Sequence, residues 1–362
     1  MHNLGNCAQL RDYIMNLSSQ WLENGKPVSK ILKDIFSKMR TNPHVTNPDL
    51  TNTYELKRLF SAFNNGRQHD LFQYLEEIIH KLAAEEDSET VKALLDEGNK
   101  DVTQNEDAVY ERAVMGSAIY KLFTWLFEEK FHCEYEHCPK PNYSTFSTSL
   151  FLQIGFRNFK DGDVLPDLQG CISKSLENPF DPKNIKKCAN CGSDIRQGTT
   201  VIIKRAPPIA MIMIVRAVLQ GKKEDIPIET KEYISLGNES FKIKCTANHI
   251  GTYTHSGHYN SLIRNGKDWI LANDRDVLKA SLAQRNHSRK DTYCMIYLKQ
   301  NASPLTRESE RLREDSVSAA SVIETVVVED IENTQPGPPT DNISSDKGNN
   351  ISSLLLSIGL IQ

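Results

Sequence analysis

The chain lacks both a long apolar run and a strong excess of charge of one sign. Its longest apolar stretch, Ile351 to Ile361, is interrupted by serines and is shorter than the ~20 residues that a membrane-spanning helix needs. Its N-terminal segment lacks the basic and apolar regions that mark a secretory signal peptide. The 43 basic and 47 acidic residues give a formal net charge of −4, which makes no case for nucleic acid or a membrane surface as a partner. We therefore expect a cytoplasmic and/or nuclear protein.

Residues 301–362 contain no aromatic residue and no cysteine. They hold ten acidic against four basic residues and are rich in Ser, Asn, Asp and Pro. Such a segment cannot bury enough apolar surface to offset the entropy of its chain. The sequence therefore predicts a disordered acidic tail at 301–362 and a folded part at 1–300.

The folded part is helical first and mainly strand afterwards, which predicts an α+β fold. Residues 10–85 carry apolar side chains at helical spacing. In the clearest case the following residues fall on one face of a helix: Leu71, Phe72, Leu75, Ile78, Ile79 and Leu82. Asp70 lies at the start of this helix, where a carboxylate caps the first turn and interacts favourably with the helix dipole.

A histidine and an asparagine fall on two neighbouring predicted strands. Gly257-His258-Tyr259 begins one strand, Asn265-Gly266 is a strong hairpin-turn signal, and Asn273 ends the next strand. A histidine there can act as a general base, and an asparagine on the paired strand can fix its tautomer. A purely structural histidine is the other interpretation, and the pattern alone leaves both open.

Two cysteine pairs lie about fifty residues apart in the chain: Cys133 and Cys138, and Cys188 and Cys191. In a cytosolic chain such pairs favour a structural zinc site over disulfides. The first pair is separated by four residues, and His132 and His137 lie beside it. The sequence leaves three alternatives open: a bulged loop, a histidine in place of one cysteine as ligand, or a site that binds no metal. The remaining cysteines after residue 150 lie in apolar or mixed strand contexts and are expected to be buried and inert: Cys171, Cys245 and Cys294.

Six segments, taken in order, resemble the boxes of the ubiquitin-specific proteases, which are papain-like cysteine peptidases. Together they span roughly residues 3 to 299. The segments are Asn3–Cys7, Gly66–Leu75, Phe146–Ile154, Ala206–Ile212, His249–Asp274 and Asp291–Tyr297. No single box decides the family, but six boxes in the right order are very specific.

The resemblance implies a papain-like cysteine peptidase fold of three parts. A helical thumb is expected at about 1–115, zinc-ribbon-like fingers at about 116–205 and a β-rich palm at about 206–300. Family members carry a structural zinc ion at the tip of the fingers, where this chain has its two cysteine pairs.

The resemblance also assigns roles to individual residues. Cys7 matches the nucleophile, His258 the general base, Asn273 the residue that orients it, and Asn3 a donor to the oxyanion. Residues that match the family's contacts to the ubiquitin tail are Gln68, Asp70 and Tyr259.

The segment around Cys7 departs from the family pattern. The threonine expected before Cys7 is missing, and only Ala8 and Gln9 separate Cys7 from Leu10, where family members run through a long apolar helix. Two hypotheses follow. The first is a thiol-dependent deubiquitinase that hydrolyses the isopeptide bond after the C-terminal glycine of ubiquitin. The second is a catalytically inactive ubiquitin-binding or scaffolding protein of the same fold, and the geometry of Cys7 distinguishes the two.

Within the tail, Val322 to Asp330 joins a β-branched run to acidic residues. Such a run pairs well with an exposed sheet edge and resembles a SUMO-interacting motif. A chance apolar cluster, or a strand that folds back onto the domain, is the alternative interpretation.

Overall fold

Helices dominate the first third of the described chain. The structure is a computed structural model, and it describes residues 10, 13–23, 25–41, 55–56, 58–60, 63, 69–86, 105–114, 116–155, 167–177, 186–195, 200–216, 222–254, 256–273 and 276–300. In these residues the helices are α1 (Ser19–Glu23), α2 (Pro27–Thr41), α3 (Leu71–Glu86), α4 (Glu106–Val114), α5 (Ala118–Phe123), α6 (Leu168–Glu177) and α7 (Leu282–Ser288). None of these helices has the length and apolar character needed to span a lipid bilayer. The tail predicted to be disordered lies outside the described residues.

Helix α3 buries the apolar face that its sequence period predicts. All six predicted side chains of that face are buried, so this prediction is confirmed. The aromatic rings of Phe72 and Phe151 meet edge to face with centroids 4.8 Å apart, which joins the helix to the strands that follow.

The last turn of α3 also holds the first turn of α2. The buried carboxylate of Glu85 accepts hydrogen bonds from the backbone N–H groups of Val28 at 2.7 Å and Ser29 at 2.8 Å. These N–H groups have no partner within their own helix, and the positive end of the helix dipole favours the negative charge. Glu85 therefore caps α2 from a position nearly sixty residues away in the chain.

The strands form three separate sheets among the described residues. The strands are β1 (Trp125–His132), β2 (Asn142–Ser149), β3 (Leu152–Gly155), β4 (Lys186–Lys187), β5 (Asp194–Ile195), β6 (Thr200–Arg205), β7 (Ile209–Val215), β8 (Tyr233–Leu236), β9 (Glu239–Tyr253), β10 (Ser256–Asn265), β11 (Asp268–Asn273), β12 (Asp276–Lys279) and β13 (Thr292–Lys299). The largest sheet has the order β12-β11-β10-β9-β13-β7-β3, and β8 pairs with β9. Its strands are antiparallel except for the pair β3 and β7.

The hairpin of β10 and β11 turns where the sequence predicts it. Asn265 pairs with Asp268, and Gly266 begins the two-residue loop with a φ of 59°, a conformation that glycine adopts without strain. Strand β13 lies between β9 and β7, so the last strand of the described chain sits inside the sheet.

A smaller sheet of order β2-β1-β6 and the short hairpin β4-β5 complete the β structure. Three buried clusters accompany the sheets. The first joins α3 to strands β9, β10 and β13, the second packs α6 and β1 against β7 and β13, and the third surrounds the two cysteine pairs. The α+β content is as predicted. Cys171, expected on a strand, lies instead on helix α6, because the short apolar pattern around it fits a helix and a strand equally well.

Replacing Glu85 tests the cap of α2. Glu85→Ala should lower the free energy of unfolding by about 3 kcal/mol, because two buried N–H groups lose a charged acceptor. Glu85→Gln keeps one acceptor oxygen and should lose less. Urea unfolding measures both, with the exposed Glu111→Ala as the matched control, expected to change stability by no more than about 0.5 kcal/mol. Equal stability of Glu85→Ala and Glu111→Ala would contradict this account of the cap.

Candidate active site

His258 and Asn273 meet at one end of the large sheet. Strands β10 and β11 pair with Ser261 opposite Ala272, and the same register places Asn273 two positions from His258 on one face. The His258 Nε2 and Asn273 Oδ1 atoms lie 2.5 Å apart, and both side chains are half-buried. The two predicted residues are therefore brought into direct hydrogen-bonding contact.

This contact sets the chemistry of the imidazole. The amide oxygen of Asn273 only accepts hydrogen bonds, so Nε2 of a neutral His258 carries the proton and donates it. The lone pair of the neutral ring is then at Nδ1, which is the nitrogen that can take a proton from a nucleophile.

Asp70 lies at the N-terminus of α3 and touches the sheet. Its Oδ1 accepts hydrogen bonds from the backbone N–H groups of Phe72 at 2.8 Å and Gln73 at 3.2 Å, which is the predicted cap. Its Oδ2 accepts a hydrogen bond from the Tyr293 hydroxyl. Burial raises the pKa of Tyr293, and the neighbouring Asp70 carboxylate raises it further.

Tyr259 makes a second link between the sheet and α3. Its ring is buried, and its hydroxyl is hydrogen-bonded by the backbone of Leu71. Burial raises the pKa of Tyr259, so the hydroxyl is neutral at ordinary pH. Asp70 thus meets Tyr259, the residue that follows His258 on β10, at the start of α3.

A second histidine, His249, lies behind His258 on the neighbouring strand. Its ring is buried, with its centroid 4.7 Å from that of Tyr259. Burial, together with a smaller contribution from the nearby Lys223 ammonium, lowers the pKa of His249 to about 4. His249 is therefore neutral at ordinary pH, whereas His258 keeps a half-buried position.

Three predicted site residues, Asn3, Cys7 and Gln68, lie outside the described residues. The described chain resumes at Leu10, which is buried in the same cluster as Tyr259.

The four cysteines of the two pairs converge on one point. Their sulfur atoms all lie within 4.8 Å of one another. The closest pairs are Cys133 with Cys191 at 3.6 Å and Cys138 with Cys188 at 3.8 Å. The longer first loop turns back on itself through a hydrogen bond from the Cys138 backbone N–H to the Tyr135 carbonyl.

The histidines beside the first pair do not join this cluster. The His132 Nδ1 atom lies 2.7 Å from Oδ1 of Asn142, and the His137 ring packs edge-on against Tyr135. Of the alternatives that the sequence leaves open, the bulged loop is the one observed.

A family model described as ubiquitin carboxyl-terminal hydrolase matches residues 1–297. The chain belongs to the ubiquitin carboxyl-terminal hydrolase family. The comparison with curated protein sequences gave no match.

Among solved structures, the chain is similar to the structure of the SAGA Ubp8/Sgf11/Sus1/Sgf73 DUB module bound to ubiquitin aldehyde. The TM-score is 0.53 and the sequence identity 16%, and the match covers 82% of this chain and 64% of that chain. This chain therefore spans less than two thirds of the length of its structural neighbour. The likeness shows the fold, and it confirms the papain-like α+β prediction for this ubiquitin carboxyl-terminal hydrolase family member.

The cysteine cluster fits one zinc ion. Four sulfurs at ~2.3 Å from a tetrahedral ion lie ~3.8 Å from one another, which agrees with the observed spacing. Burial opposes charge on Cys188, but hydrogen bonds from the backbone N–H groups of Asn190 and Cys191 and from neighbouring cysteine side chains together lower the pKa of that thiol. The prediction of a structural zinc site with these four ligands is confirmed in its geometry. A bound ion would cross-link the two pairs.

Sequence reasoning missed the groups that surround the two predicted strands. Asp291 and Lys223 form a buried ion pair, and Tyr293 bonds to Asp70. The sequence did not predict that Lys223 is buried. It lies in a segment with no regular apolar period, and lysine is seldom buried without a charged partner, which here is distant in the chain. Asp291 and Tyr293 appear in the sequence only within the resembling segment Asp291–Tyr297, which assigns neither of them a partner.

Removing a zinc ligand tests the cluster. Purified protein should carry about one equivalent of zinc, and Cys188→Ser should release it and loosen the fingers, because a structural site needs all four ligands. Metal analysis and hydrogen exchange measure both effects, and exchange around His258 should stay unchanged. Cys171→Ala, which alters a cysteine outside the cluster, should retain the metal. Folded parent protein that contains no zinc would contradict the site.

The neutral state of His249 predicts a pH dependence of stability. The pKa of His249 is about 4 in the folded chain and about 6.5 in the unfolded chain, so the unfolded state binds a proton first as the pH falls. The free energy of unfolding should drop by about 2 kcal/mol between pH 6.5 and pH 4 because of this residue. His249→Phe should abolish that part of the slope, whereas His287→Gln, at an exposed position, should leave it. Identical slopes for the parent and His249→Phe would show that another group is responsible.

Proposed function

We propose that this chain is a thiol-dependent deubiquitinase that hydrolyses the isopeptide bond after the C-terminal glycine of ubiquitin. The observation that carries the proposal is the hydrogen bond of 2.5 Å between His258 and Asn273, inside a fold of the ubiquitin carboxyl-terminal hydrolase family. The pair provides an oriented general base, which is the group that a cysteine nucleophile needs for activation.

Elimination supports Cys7 as the nucleophile. Of the eight cysteines, four form the metal cluster. Cys171, Cys245 and Cys294 are buried, and burial raises the pKa of Cys171 to about 11 and also raises that of Cys294. A buried thiol with a raised pKa forms little thiolate and meets no substrate. Cys7 is the cysteine that remains, three residues before an anchor in the same buried cluster as Tyr259.

The proposed reaction has two stages. In the first, Nδ1 of His258 takes the proton of the Cys7 thiol, and the thiolate attacks the carbonyl carbon of the ubiquitin C-terminal glycine. Asn3 and backbone N–H groups hold the oxyanion, and the imidazolium gives its proton to the departing lysine amine. In the second stage His258 takes a proton from water, which attacks the thioester and frees Cys7.

The N-terminus of α3 is the proposed binding site for the C-terminal tail of ubiquitin. Asp70 is a half-buried carboxylate at the junction of α3 and the sheet. Gln68 lies two residues before it in the sequence, and Tyr259 lies near it in space. A carboxylate there suits an arginine-bearing peptide, because a guanidinium binds carboxylates with two hydrogen bonds. On binding, Asp70 would release the hydroxyl of Tyr293 and accept hydrogen bonds from the arginine instead.

An electrophilic probe tests the nucleophile and separates the two functional hypotheses. Ubiquitin carrying an electrophile at its C-terminus should label the parent covalently, and Cys7→Ala should abolish the label because the attacking sulfur is gone. Cys171→Ala is the matched control and should label like the parent. If a well-folded parent binds ubiquitin but takes no label, the chain is a non-catalytic ubiquitin-binding protein.

Changes at the His258–Asn273 pair test the general base. His258→Ala should lower kcat at least ~100-fold, the usual contribution of such a base, while ubiquitin binding measured by calorimetry persists. Asn273→Asp should lose less than Asn273→Ala, because a carboxylate also accepts the Nε2 hydrogen bond. Unchanged turnover in His258→Ala would mean that another residue is the base.

Two finer proposals concern compartment and a second partner. We propose a cytoplasmic and/or nuclear location, which the free cysteines of the described chain support, since disulfides are rare in these reducing compartments. We also propose SUMO as a partner of the segment Val322 to Asp330, on the strength of its β-branched run and following acidic residues. This segment lies outside the described residues.

A further inference from the structure

A buried lysine ties together three segments next to the catalytic strands. Lys223 lies in the stretch that follows β7, and its backbone N–H donates to the carbonyl of Thr252 at 2.9 Å, so this stretch crosses the end of β9. Its side chain is only 2% exposed. A lysine so placed loses most of its hydration and needs partners within the protein.

The partners of Lys223 belong to β9 and to the start of β13. Its Nζ donates to the carboxylate of Asp291 at 2.5 Å and to the backbone carbonyl of His249 at 2.8 Å. The backbone N–H of His249 donates in turn to the carbonyl of Asp291 at 2.8 Å. Asp225, which is mostly exposed, lies 3.5 Å from the ammonium on the outer side. Lys223, His249 and Asp291 thus form a closed triangle of contacts.

Burying an ion pair of this kind costs solvation that its own attraction barely offsets. An apolar pair of similar volume would fill the space at no greater cost. The pair instead fixes the direction of the His249 carbonyl, because an ammonium shared between a carboxylate and a carbonyl has few other positions available. The effect of the ion pair is therefore to hold the backbone of His249 in one position.

The position of His249 limits the path of the strand that carries His258. Pairing between β9 and β10 shifts register between Ser256 and His258, so Gly257 lies in an irregularity of the ladder. A side-chain carbon at Gly257 would lie 2.7 Å from Nε2 of His249 and 2.4 Å from the carbonyl of Ile250. The ring of His249 therefore packs directly onto the backbone that precedes His258.

We propose that Lys223 is a positioning residue for the general base: by holding His249 against Gly257 it sets the backbone from which His258 reaches Asn273. The role in turnover rests on the proposed deubiquitinase function. The geometric role does not, since it concerns the His258 hydrogen bond alone.

The experiment compares Lys223→Met with the full-length parent. Lys279→Met is the matched control, because Lys279 pairs with Asp268 at 2.9 Å on an exposed edge. Nuclear magnetic resonance of ¹⁵N-histidine-labelled protein reports the tautomer of His258. We expect the proton on Nε2 in the parent and in Lys279→Met, and a mixture of tautomers in Lys223→Met. We also expect kcat to fall about 10- to 100-fold in Lys223→Met with KM changed less than about twofold, because misplacing a catalytic group impairs chemistry more than binding.

Two further variants keep the test decisive. Lys223→Met leaves Asp291 buried without its partner, and if that variant does not fold, Lys223→Met with Asp291→Asn removes the stranded charge. Gly257→Ala places a side-chain carbon against both the His249 ring and the Ile250 carbonyl. It therefore disturbs the same contact from the β10 side without changing Lys223 or Asp291, and it should reproduce the change at His258. A parent-like His258 signal in folded Lys223→Met or in Gly257→Ala overturns the proposal. If the parent itself does not cleave ubiquitin conjugates, the proposed function fails, and the His258 signal alone decides the role of Lys223.

Discussion

Backbone hydrogen bonds between β10 and β11 place Ser261 opposite Ala272, and through that register His258 comes within 2.5 Å of Asn273. A slip of one residue would turn every side chain of one strand to the other face and separate the pair. The turn at Gly266 fixes the register at one end. The packing of Tyr259 onto the start of α3 fixes which face of β10 is buried. The backbone register of β10 and β11 thus sets the distance between the His258 and Asn273 side chains.

Two histidines nine residues apart occupy different electrostatic surroundings. His249 is buried beside the ammonium of Lys223, and burial together with this charge keeps it neutral. His258 is half-buried and donates to an uncharged amide. The neutral state of His249 keeps a positive charge away from the strand that carries His258. The two rings therefore differ in burial and in hydrogen-bond partner although their strands are paired.

Local patterns predicted the parts of the structure that depend on local sequence. The face of α3, the hairpin of β10 and β11, and the joining of His258 to Asn273 all follow from residue periods and one turn. The four-cysteine cluster was predicted because ligand chemistry restricts the partners of paired cysteines. The triangle of Lys223, His249 and Asp291 was not predictable, since it joins residues up to 68 positions apart through contacts that no period encodes. The catalytic and ubiquitin-binding roles of all the predicted site residues stay predictions, as do the three domain boundaries: Asn3, Cys7, Gln68, Asp70, His258, Tyr259 and Asn273.

The position of β13 has a consequence for how the chain is made. This strand fills the gap between β9 and β7, and both neighbours are synthesised well before it. During translation at ~5–20 residues per second, β9 and β7 therefore wait several seconds with their facing edges unpaired. Exposed edges of this kind invite pairing with other chains. A product that ended before β13 would carry two open edges where the complete sheet is continuous.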